Sequence, residues 1–519
     1  MRKPLSMLDL AMFVLESTER PFGVGPLVVL RPPPGAGRDF ADRLVQRMLA
    51  HKPLPPFNMR LSLSLTQAPG LEEVKNPDLS GHVHRLTLDG DGSMDNLMAT
   101  IGELQAKLID RDGLLWQLTV IDGLADGRIA LHGKVHHGII DGRTFIQLMM
   151  HWFSTDPKDP EVRAMWQGVP PKPEAASGDK ARAKGGAVSA VWRTASGAVR
   201  STASLSRLLA GQGLRSLGMN PTAMALPFVS VPRVLTGKVS GRRNYAFTTL
   251  PLSELKALGK TANASVNDML LAVLDGALGR YLGAQSEQPL KPLVVDMPVA
   301  LPSAGGGNMI AVLQLPMGKA RAAVRDRLSS IIEETARVKA AAKKVPAETL
   351  MLYTALVHGV PTLLERLGLS QPMLLSNLVF SNPFGFAGRA YLMGAEVEMV
   401  MPLSLLAGGQ TLNVTAVTLG DNLQIGYLGM PGAVDDIKRL AEFTREAFDE
   451  MKAEFGAVAE PAKTAKRVAA GPRTKRPAAA KAPAKKRAVA AAAKAPATKR
   501  RVVAKAPVVK RTGRSSARA

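Results

Sequence analysis

Hydrophobic and polar positions in the first 156 residues follow the two periods of regular secondary structure. Apolar runs that end at proline or glycine predict strands, and apolar residues spaced by three or four positions predict amphipathic helices. These patterns predict a strand at 24–33, helices at 40–51, 94–110 and 144–153, and two strands within 116–137 that turn at Asp126-Gly127. Alternating strands and helices are typical of a mixed α/β domain.

The same kind of pattern returns after residue 240. It predicts a strand at 242–250, a helix from Val266 to Leu282, a strand at 292–301, a hairpin at 412–428 and a closing helix at 434–455. The segment between the two regions is rich in Pro, Ala, Gly, Ser and Arg, and its periodicity is weak. We therefore predict an α/β protein with an N-terminal domain at 1–156, a linker at 157–240 that contains one or two basic helices, and a C-terminal domain at 241–456.

The distribution of charge distinguishes residues 1–460 from a basic C-terminal tail. The chain has 519 residues and a formal net charge of +24, and residues 461–519 hold 19 Lys or Arg and no Asp or Glu. The rest of the chain, with 48 basic and 43 acidic side chains, carries only +5. Because the tail lacks aromatic residues and has few large aliphatic ones, we predict that residues 457–519 are disordered.

Composition also limits the chemistry and the location. The chain has no cysteine, which excludes disulfides, thiolate nucleophiles and cysteine-ligated metals. Asp9 interrupts the apolar N-terminal stretch, and no run of 18 apolar residues occurs, so neither a signal peptide nor a transmembrane helix is predicted. We expect a cytoplasmic protein that is either free or peripheral to a membrane.

The motif most relevant to chemistry is His-His-Gly-Ile-Ile-Asp-Gly at 136–142. Strand alternation places His137 on the same face as Ile129, Leu131 and Val135, and it places His136 on the opposite face. A neutral histidine at a strand end, surrounded by apolar residues, suits a general base.

Two other interpretations of this pair remain open. Both histidines could be structural, as most isolated His-His pairs are. They could also bind a metal, although neighbouring strand residues point to opposite faces and would not easily reach one ion. The sequence contains neither a G-x-S-x-G motif nor a complete phosphate-binding loop.

An ordered set of motifs resembles the bacterial wax ester synthase/acyl-CoA:diacylglycerol acyltransferases, over roughly residues 4–455. The signature HHxxxDG matches residues 136–142 in full. The other similar segments are PLSMLDLAMFVLES (4–17), LLWQLTVIDGL (114–124), SGRRNYAFTTLPLSELKAL (240–258), the segment with Asn267-Asp268, MPVALP…GGGN (297–308), LSNLVFSNPFGFAG (375–388) and 394–428.

This resemblance implies a two-domain CoA-dependent acyltransferase fold, similar to that of condensation domains, with an active-site channel between the domains. His137 would deprotonate an alcohol that attacks the acyl-CoA thioester directly, and His136 would support it. Asp141 would orient the motif by pairing with an arginine, and Gly142 would complete the turn. The acceptor would be diacylglycerol or a long-chain fatty alcohol.

The resemblance also implies which residues line the substrate channel: Trp116, Asn267, Asp268, Ser381 and Asn382. No metal and no cofactor is expected, because acyl-CoA is a co-substrate. In two places the chain departs from the family pattern. Leu114 replaces a proline, and Phe384 and Phe386 stand in a loop that commonly reads Ser-Asn-Val-Pro-Gly-Pro, so the acceptor preference could differ.

Other functions stay open at this stage. The chain could be a condensation-type acyltransferase acting on another alcohol or amine, or a non-catalytic protein that binds lipid granules or the nucleoid. For an active enzyme we expect contact with the inner face of the membrane or with lipid inclusions. The basic tail could bind anionic membrane or DNA without sequence preference, or it could have no partner.

Overall fold

The structure is a computed structural model that describes residues 2–63, 67–140, 142–168, 203–229, 231–301, 310–369, 374–382 and 385–456. Residues 457–519, for which disorder is predicted, and residues 169–202 of the predicted linker lie outside these residues. Among the described residues, no helix is long and apolar enough to cross a membrane.

The described residues of the N-terminal half form seven strands and four α-helices in an irregular alternation. They are β1 (Arg2–Pro4), α1 (Met7–Leu15), β2 (Gly23–Arg31), α2 (Phe40–Leu49), β3 (Met59–Ser62), β4 (Gly70–Glu73), β5 (Val83–Thr87), α3 (Met94–Ala106), β6 (Trp116–Asp122), β7 (Ile129–His136) and α4 (Gly142–Trp152).

The C-terminal half follows a helix, α5, at 203–216. Its elements are β8 (Asn244–Pro251), α6 (Leu252–Thr261), α7 (Val266–Ala284), β9 (Val294–Ala300), β10 (Ile310–Pro316), α8 (Val324–Ala342), α9 (Ala347–Arg366), β11 (Leu378–Ser381), β12 (Tyr391–Leu392), β13 (Ala395–Leu403), β14 (Leu412–Leu419), β15 (Asn422–Gly429) and α10 (Ile437–Gly456).

Two six-stranded mixed sheets organise these elements. The first has the order β12-β13-β2-β7-β6-β5, and the second has the order β10-β9-β11-β14-β15-β8. A small sheet, β1-β4-β3, accompanies the first. The α/β class with two sheet-containing halves is confirmed, and the predicted hairpins form as β6–β7 and β14–β15.

Two strands of the C-terminal half, β12 and β13, belong to the first sheet. The sequence analysis places residues 395–403 in the C-terminal unit, but β13 pairs antiparallel with β2 of the first sheet, with Leu403 opposite Gly25 and Met401 opposite Leu27. Its alternating apolar side chains complete cores on both faces of that sheet, which explains the exchange. The two halves are therefore joined by backbone hydrogen bonds as well as by side-chain packing.

Strand β7 is buried along its whole length, and its two faces differ in chemistry. Ile129, Leu131 and Val135 face the core under α2, as predicted. On the opposite face, Lys134 donates to the carbonyl oxygens of Leu104 and Lys107. This ammonium group lies at the C-terminus of α3, where a cation is favourable, and α3 ends at Ala106 instead of the predicted residue 110.

Candidate active site

The motif of two histidines lies where β7 ends and the chain turns towards α4. The backbone N–H of His137 donates to Phe22 O at 3.0 Å, and the N–H of Ile139 donates to His136 O at 3.0 Å. Gly138 packs directly on Phe13, so a Cβ at this position would lie 2.5 Å from a ring carbon of Phe13. The turn therefore requires glycine at the position after the second histidine.

His136 is completely buried and held on three sides. Its ring stacks on Phe13 with centroids 4.0 Å apart and an interplanar angle of 4°. Its Nδ1 accepts the N–H of Gly138 at 3.0 Å, so in the neutral ring the proton resides on Nε2. That Nε2 lies 3.3 Å from an oxygen of Glu16. His136 therefore has a fixed orientation and no access to a substrate.

Glu16 is the anchor of this arrangement, and the sequence analysis assigned it no role. It follows α1 directly, and it accepts hydrogen bonds from the N–H of Phe22 at 2.8 Å and from Arg111 Nη2 at 2.8 Å. Burial by itself would raise the pKa of Glu16, but its interactions with His136, Arg111 and the Phe22 N–H lower that pKa to about 2. Glu16 is therefore a carboxylate at every physiological pH.

The sequence contains one signal for Glu16. A carboxylate at the C-terminus of a helix is unfavourable to the helix dipole, so an acid that caps an apolar helix suggests a specific cationic partner. That partner, Arg111, is 95 residues away in the chain. Only the tertiary structure shows the pair.

His137 differs from its neighbour because it is half-buried and lines a cavity of about 220 Å³. The cavity lies between the two sheets. Its lining includes residues from β2 and β13 on one side, from β9, β11 and β14 on the other, and from α4. Most of these side chains are apolar, and the polar ones are Ser381, Ser404, Asn413 and Thr415. The position between the sheets corresponds to the channel that the resemblance implies.

The predicted channel residues are distributed more widely. Ser381 lines the cavity. Asn382 donates to Asn267 Oδ1 at 2.6 Å, which connects the end of β11 with the start of α7, and neither residue is among those lining the cavity. Asp268 forms a capping box with Ser265, because its carboxylate accepts the N–H of Ser265 at 3.1 Å and the Ser265 Oγ accepts the N–H of Asp268 at 3.2 Å.

Trp116 lies in the core of the N-terminal half instead of along the cavity. Its side chain is fully buried, its Nε1–H donates to Phe57 O at 2.7 Å, and its ring stacks on Trp166. Strand alternation on β6 directs Trp116 to the same face as Leu118 and Val120 in this core. The tryptophan therefore packs behind the sheet that carries the motif.

The last two predicted residues complete the motif. Gly142 is the first residue of α4, so the helix begins two residues before the predicted start at 144. Asp141 lies outside the described residues, so its predicted arginine partner stays a prediction. Within the described part of the chain, no group of three or more His, Asp or Glu side chains could hold a metal ion.

A second buried acid–histidine pair lies in the C-terminal half. Asp296 on β9 is fully buried and accepts hydrogen bonds from Ser376 Oγ and Gln410 Nε2, both at 2.8 Å. His358 Nδ1 on α9 lies 4.0 Å from the same carboxylate oxygen. Burial raises the pKa of Asp296, and it lowers the pKa of His358. Neither residue is among those lining the cavity.

The chain is similar to known proteins along most of its length. The chain matches the wax ester synthase/diacylglycerol acyltransferase catalytic domain over residues 5–270 and the WS/DGAT C-terminal domain over residues 306–452. Two relatives from Mycobacterium tuberculosis are named as probable diacylglycerol O-acyltransferases, Tgs4 and Tgs2. Both are 30% identical, over 466 and 468 residues, which covers 87% of this chain and 97% and 99% of theirs.

Solved structures show the same fold. The wax ester synthase/diacylglycerol acyltransferase from Marinobacter aquaeolei VT8 superposes with a TM-score of 0.66 at 24% identity and covers 87% of this chain and 100% of that one. The first condensation domain of the CDA synthetase superposes with a TM-score of 0.50 at 15% identity, over 87% of this chain and 96% of that one. The extent of the family match and the full-length relatives together show that this chain belongs to the wax ester synthase/diacylglycerol acyltransferase family.

Proposed function

We propose that this protein transfers a long-chain acyl group from acyl-CoA to the hydroxyl group of diacylglycerol or of a fatty alcohol. The observation that carries the proposal is the contrast within the motif. His136 is locked in place by Glu16 and Phe13, whereas the adjacent His137 lines an apolar cavity between the two sheets. An imidazole at the wall of an apolar cavity suits proton transfer from a lipid alcohol.

The proposed reaction needs one base and no covalent enzyme intermediate. The imidazole of His137 takes the hydroxyl proton while the alcohol oxygen bonds to the thioester carbonyl carbon. When the tetrahedral intermediate collapses, the carbon–sulfur bond breaks and the CoA sulfur leaves with the proton that His137 holds. The products are an ester and free CoA, and His137 returns to its neutral form.

The cavity lining supports a long acyl chain as one substrate. Ile140, Phe145 and Met149 cover one wall, and Val400 and Val417 cover another. These side chains would bind methylene groups, while Ser381 and Thr415 supply hydroxyl groups near the same space. The cavity therefore combines an apolar volume with a few polar atoms, as binding of an acyl thioester requires.

The experiment is thiol release from palmitoyl-CoA, with hexadecanol or a diacylglycerol as acceptor. Because the chain contains no cysteine, a thiol reagent detects only the released CoA. We expect release that depends on the acceptor, and we expect His137→Ala to lower the rate by about 10²–10⁴-fold. The matched control is His84→Ala, which removes a histidine of the edge strand β5 and should leave the rate unchanged.

Two results would contradict the proposal. Normal turnover by folded His137→Ala would exclude the general-base role. Absence of CoA release with either acceptor, from a wild-type protein that binds acyl-CoA, would instead indicate a different acceptor, as in a condensation-type enzyme. The more active of the two acceptors identifies the product as wax ester or triacylglycerol.

The proposed substrates imply a location at lipid. We propose that the enzyme works at the inner face of the membrane or on lipid inclusions, and that the basic tail at 457–519 strengthens attachment to anionic surfaces. Removal of the tail should release a larger share of the protein from membranes, as measured by fractionation. An unchanged distribution would contradict the role of the tail.

A further inference from the structure

Helix α9 presents an exposed apolar stripe. Leu356, Val360, Leu363 and Leu367 are 44%, 46%, 43% and 58% exposed, although each is a large aliphatic residue. Leu356, Val360 and Leu363 lie on one face of α9, and Leu367, the residue directly after its end, continues that face, so the stripe is about 16 Å long. Isolated exposed aliphatic side chains are common on proteins, but four in a row along a helix face are not.

The opposite side of α9 is firmly packed against the protein. Tyr353 and Val357 belong to a small core with Leu205 of α5 and Leu375. The Oγ1 of Thr354 accepts the N–H of Val312 on β10 at 3.0 Å. The helix is therefore well anchored on one side, and its exposed stripe is a stable feature of the surface.

Charge around the stripe is favourable to an anionic surface. Arg366 is exposed in the last turn of α9, within the span of the stripe. Glu365 is the acid closest to the stripe in sequence, and it points inward to Arg20, whose Nε lies 2.6 Å from its carboxylate. Among the described residues of α9, the one exposed acid is Glu348 in the first turn, away from the stripe.

The stripe also lies close to the motif of the active site. Helix α9 contacts α1, the helix that carries Phe13, and Phe13 stacks on His136. On α1 the next residue, Val14, is 52% exposed, so an apolar side chain of α1 also reaches the surface. A lipid surface in contact with α9 would therefore lie beside the element that covers the catalytic turn.

We infer that this α9 face, formed by Leu356, Val360, Leu363 and Leu367, docks onto the surface of a phospholipid bilayer. The inference rests on the proposed function in one respect, namely that acceptor and acyl chain reside in lipid. A bilayer is favoured over a second copy of the chain because three turns of one helix are small beside the roughly 800 Å² per partner of a stable protein interface. An exposed apolar helix face with a cationic side chain at its end is compatible with a helix that lies in the headgroup region.

The test uses the full chain and sedimentation with phosphatidylcholine vesicles that contain diacylglycerol. These vesicles carry no net charge, so the basic tail contributes little to binding. The variant Val360→Glu/Leu363→Glu should bind at least about tenfold more weakly, because burial of even one large aliphatic side chain is worth about a factor of ten. The control Leu54→Glu changes a leucine that is 51% exposed in the N-terminal half, and it should bind like the wild type.

A second measurement separates this inference from the proposed function. With a short-chain, water-soluble alcohol as acceptor, the α9 variant should release CoA at the wild-type rate, whereas with diacylglycerol in vesicles it should be slower. If the wild type releases no CoA with any acceptor, the proposed function fails, while the vesicle result still decides the docking. Unchanged vesicle binding by the α9 variant overturns the inference. A shift from dimer to monomer in the variant, with unchanged vesicle binding, also overturns it and assigns the face to self-association.

Discussion

The two halves of this protein each bury a carboxylate beside a histidine, and the two pairs behave differently. Glu16 lies 3.3 Å from His136 and also binds Arg111 and a backbone N–H. Asp296 lies 4.0 Å from His358 and is bound by a serine hydroxyl and a glutamine amide. Burial disfavours the charged form of both acids, yet the pKa of Glu16 falls to about 2 and that of Asp296 rises.

The difference shows what keeps a buried carboxylate ionised. Neutral donors, such as those around Asp296, satisfy hydrogen-bonding capacity but do not compensate the loss of hydration of a full charge. At Glu16 that compensation comes first from His136 and then from the guanidinium of Arg111. In the protein, the pair whose carboxylate has a lowered pKa is the one that supports the turn with His137, and the other pair lies outside the cavity lining.

The largest effect on the rate of CoA release is expected from Glu16→Gln. Loss of the negative charge leaves Arg111 unpaired and removes the carboxylate that holds His136 Nε2, so the turn with His137 can shift. Because a displacement of about 1 Å at an active site costs roughly 100-fold in rate, we expect a fall of about that size in acceptor-dependent CoA release. Glu19→Gln is the matched control, since Glu19 is exposed and only three residues away. Equal rates for the two variants would refute the positioning role.

The same variant should change stability in acid. The pKa of Glu16 is about 2 in the folded protein against an ordinary value of 4.5, so its contribution to stability is complete above pH 4.5 and is lost as the pH falls towards 2. The difference corresponds to about 3 kcal/mol. Urea unfolding at a series of pH values should show this loss in the wild type and a flatter profile in Glu16→Gln. Parallel profiles would mean that Glu16 is not the acid responsible.

Asp296→Asn should change the pH dependence of the unfolding free energy less than Glu16→Gln does, and in the opposite direction. Because the folded-state pKa is raised, Asp296 costs stability as the pH rises above its ordinary value of 3.8. The asparagine variant lacks this cost, so its unfolding free energy, measured by urea, should fall less with rising pH. One such group changes the unfolding free energy by at most about 1.4 kcal/mol per pH unit. A large loss of stability at neutral pH in this variant would show that Asp296 is ionised in the folded protein.

The smallest effect on the unfolding free energy is expected from substitutions in the hydrogen-bonded pair Asn267 and Asn382. Asn267 is exposed, and its amide oxygen accepts a hydrogen bond from Asn382. Since water can replace this bond, Asn267→Ala should cost no more than about 1 kcal/mol of unfolding free energy. A double-mutant cycle with Asn382→Ala measures the coupling between the two. A loss of activity as large as that of Glu16→Gln would instead place this pair in the catalytic machinery.

The sequence by itself determined the local elements and the candidate base. Strand β7 and helix α7 were predictable because alternation and helical spacing act within a few residues of the chain. The different orientations of His136 and His137 were predictable for a similar reason, since adjacent positions on a strand face opposite sides. The apolar face of β7 was predicted correctly by this rule.

The tertiary structure alone decided what surrounds these elements. Strand β13 completes the first sheet from the other half of the chain, and Arg111 reaches Glu16 from a distant loop. No local pattern specifies such partners, because backbone pairing and ion pairing between distant segments depend on the packing of the whole core. Burial, which fixes His136 and leaves His137 on the cavity wall, is a property of that packing and not of either residue.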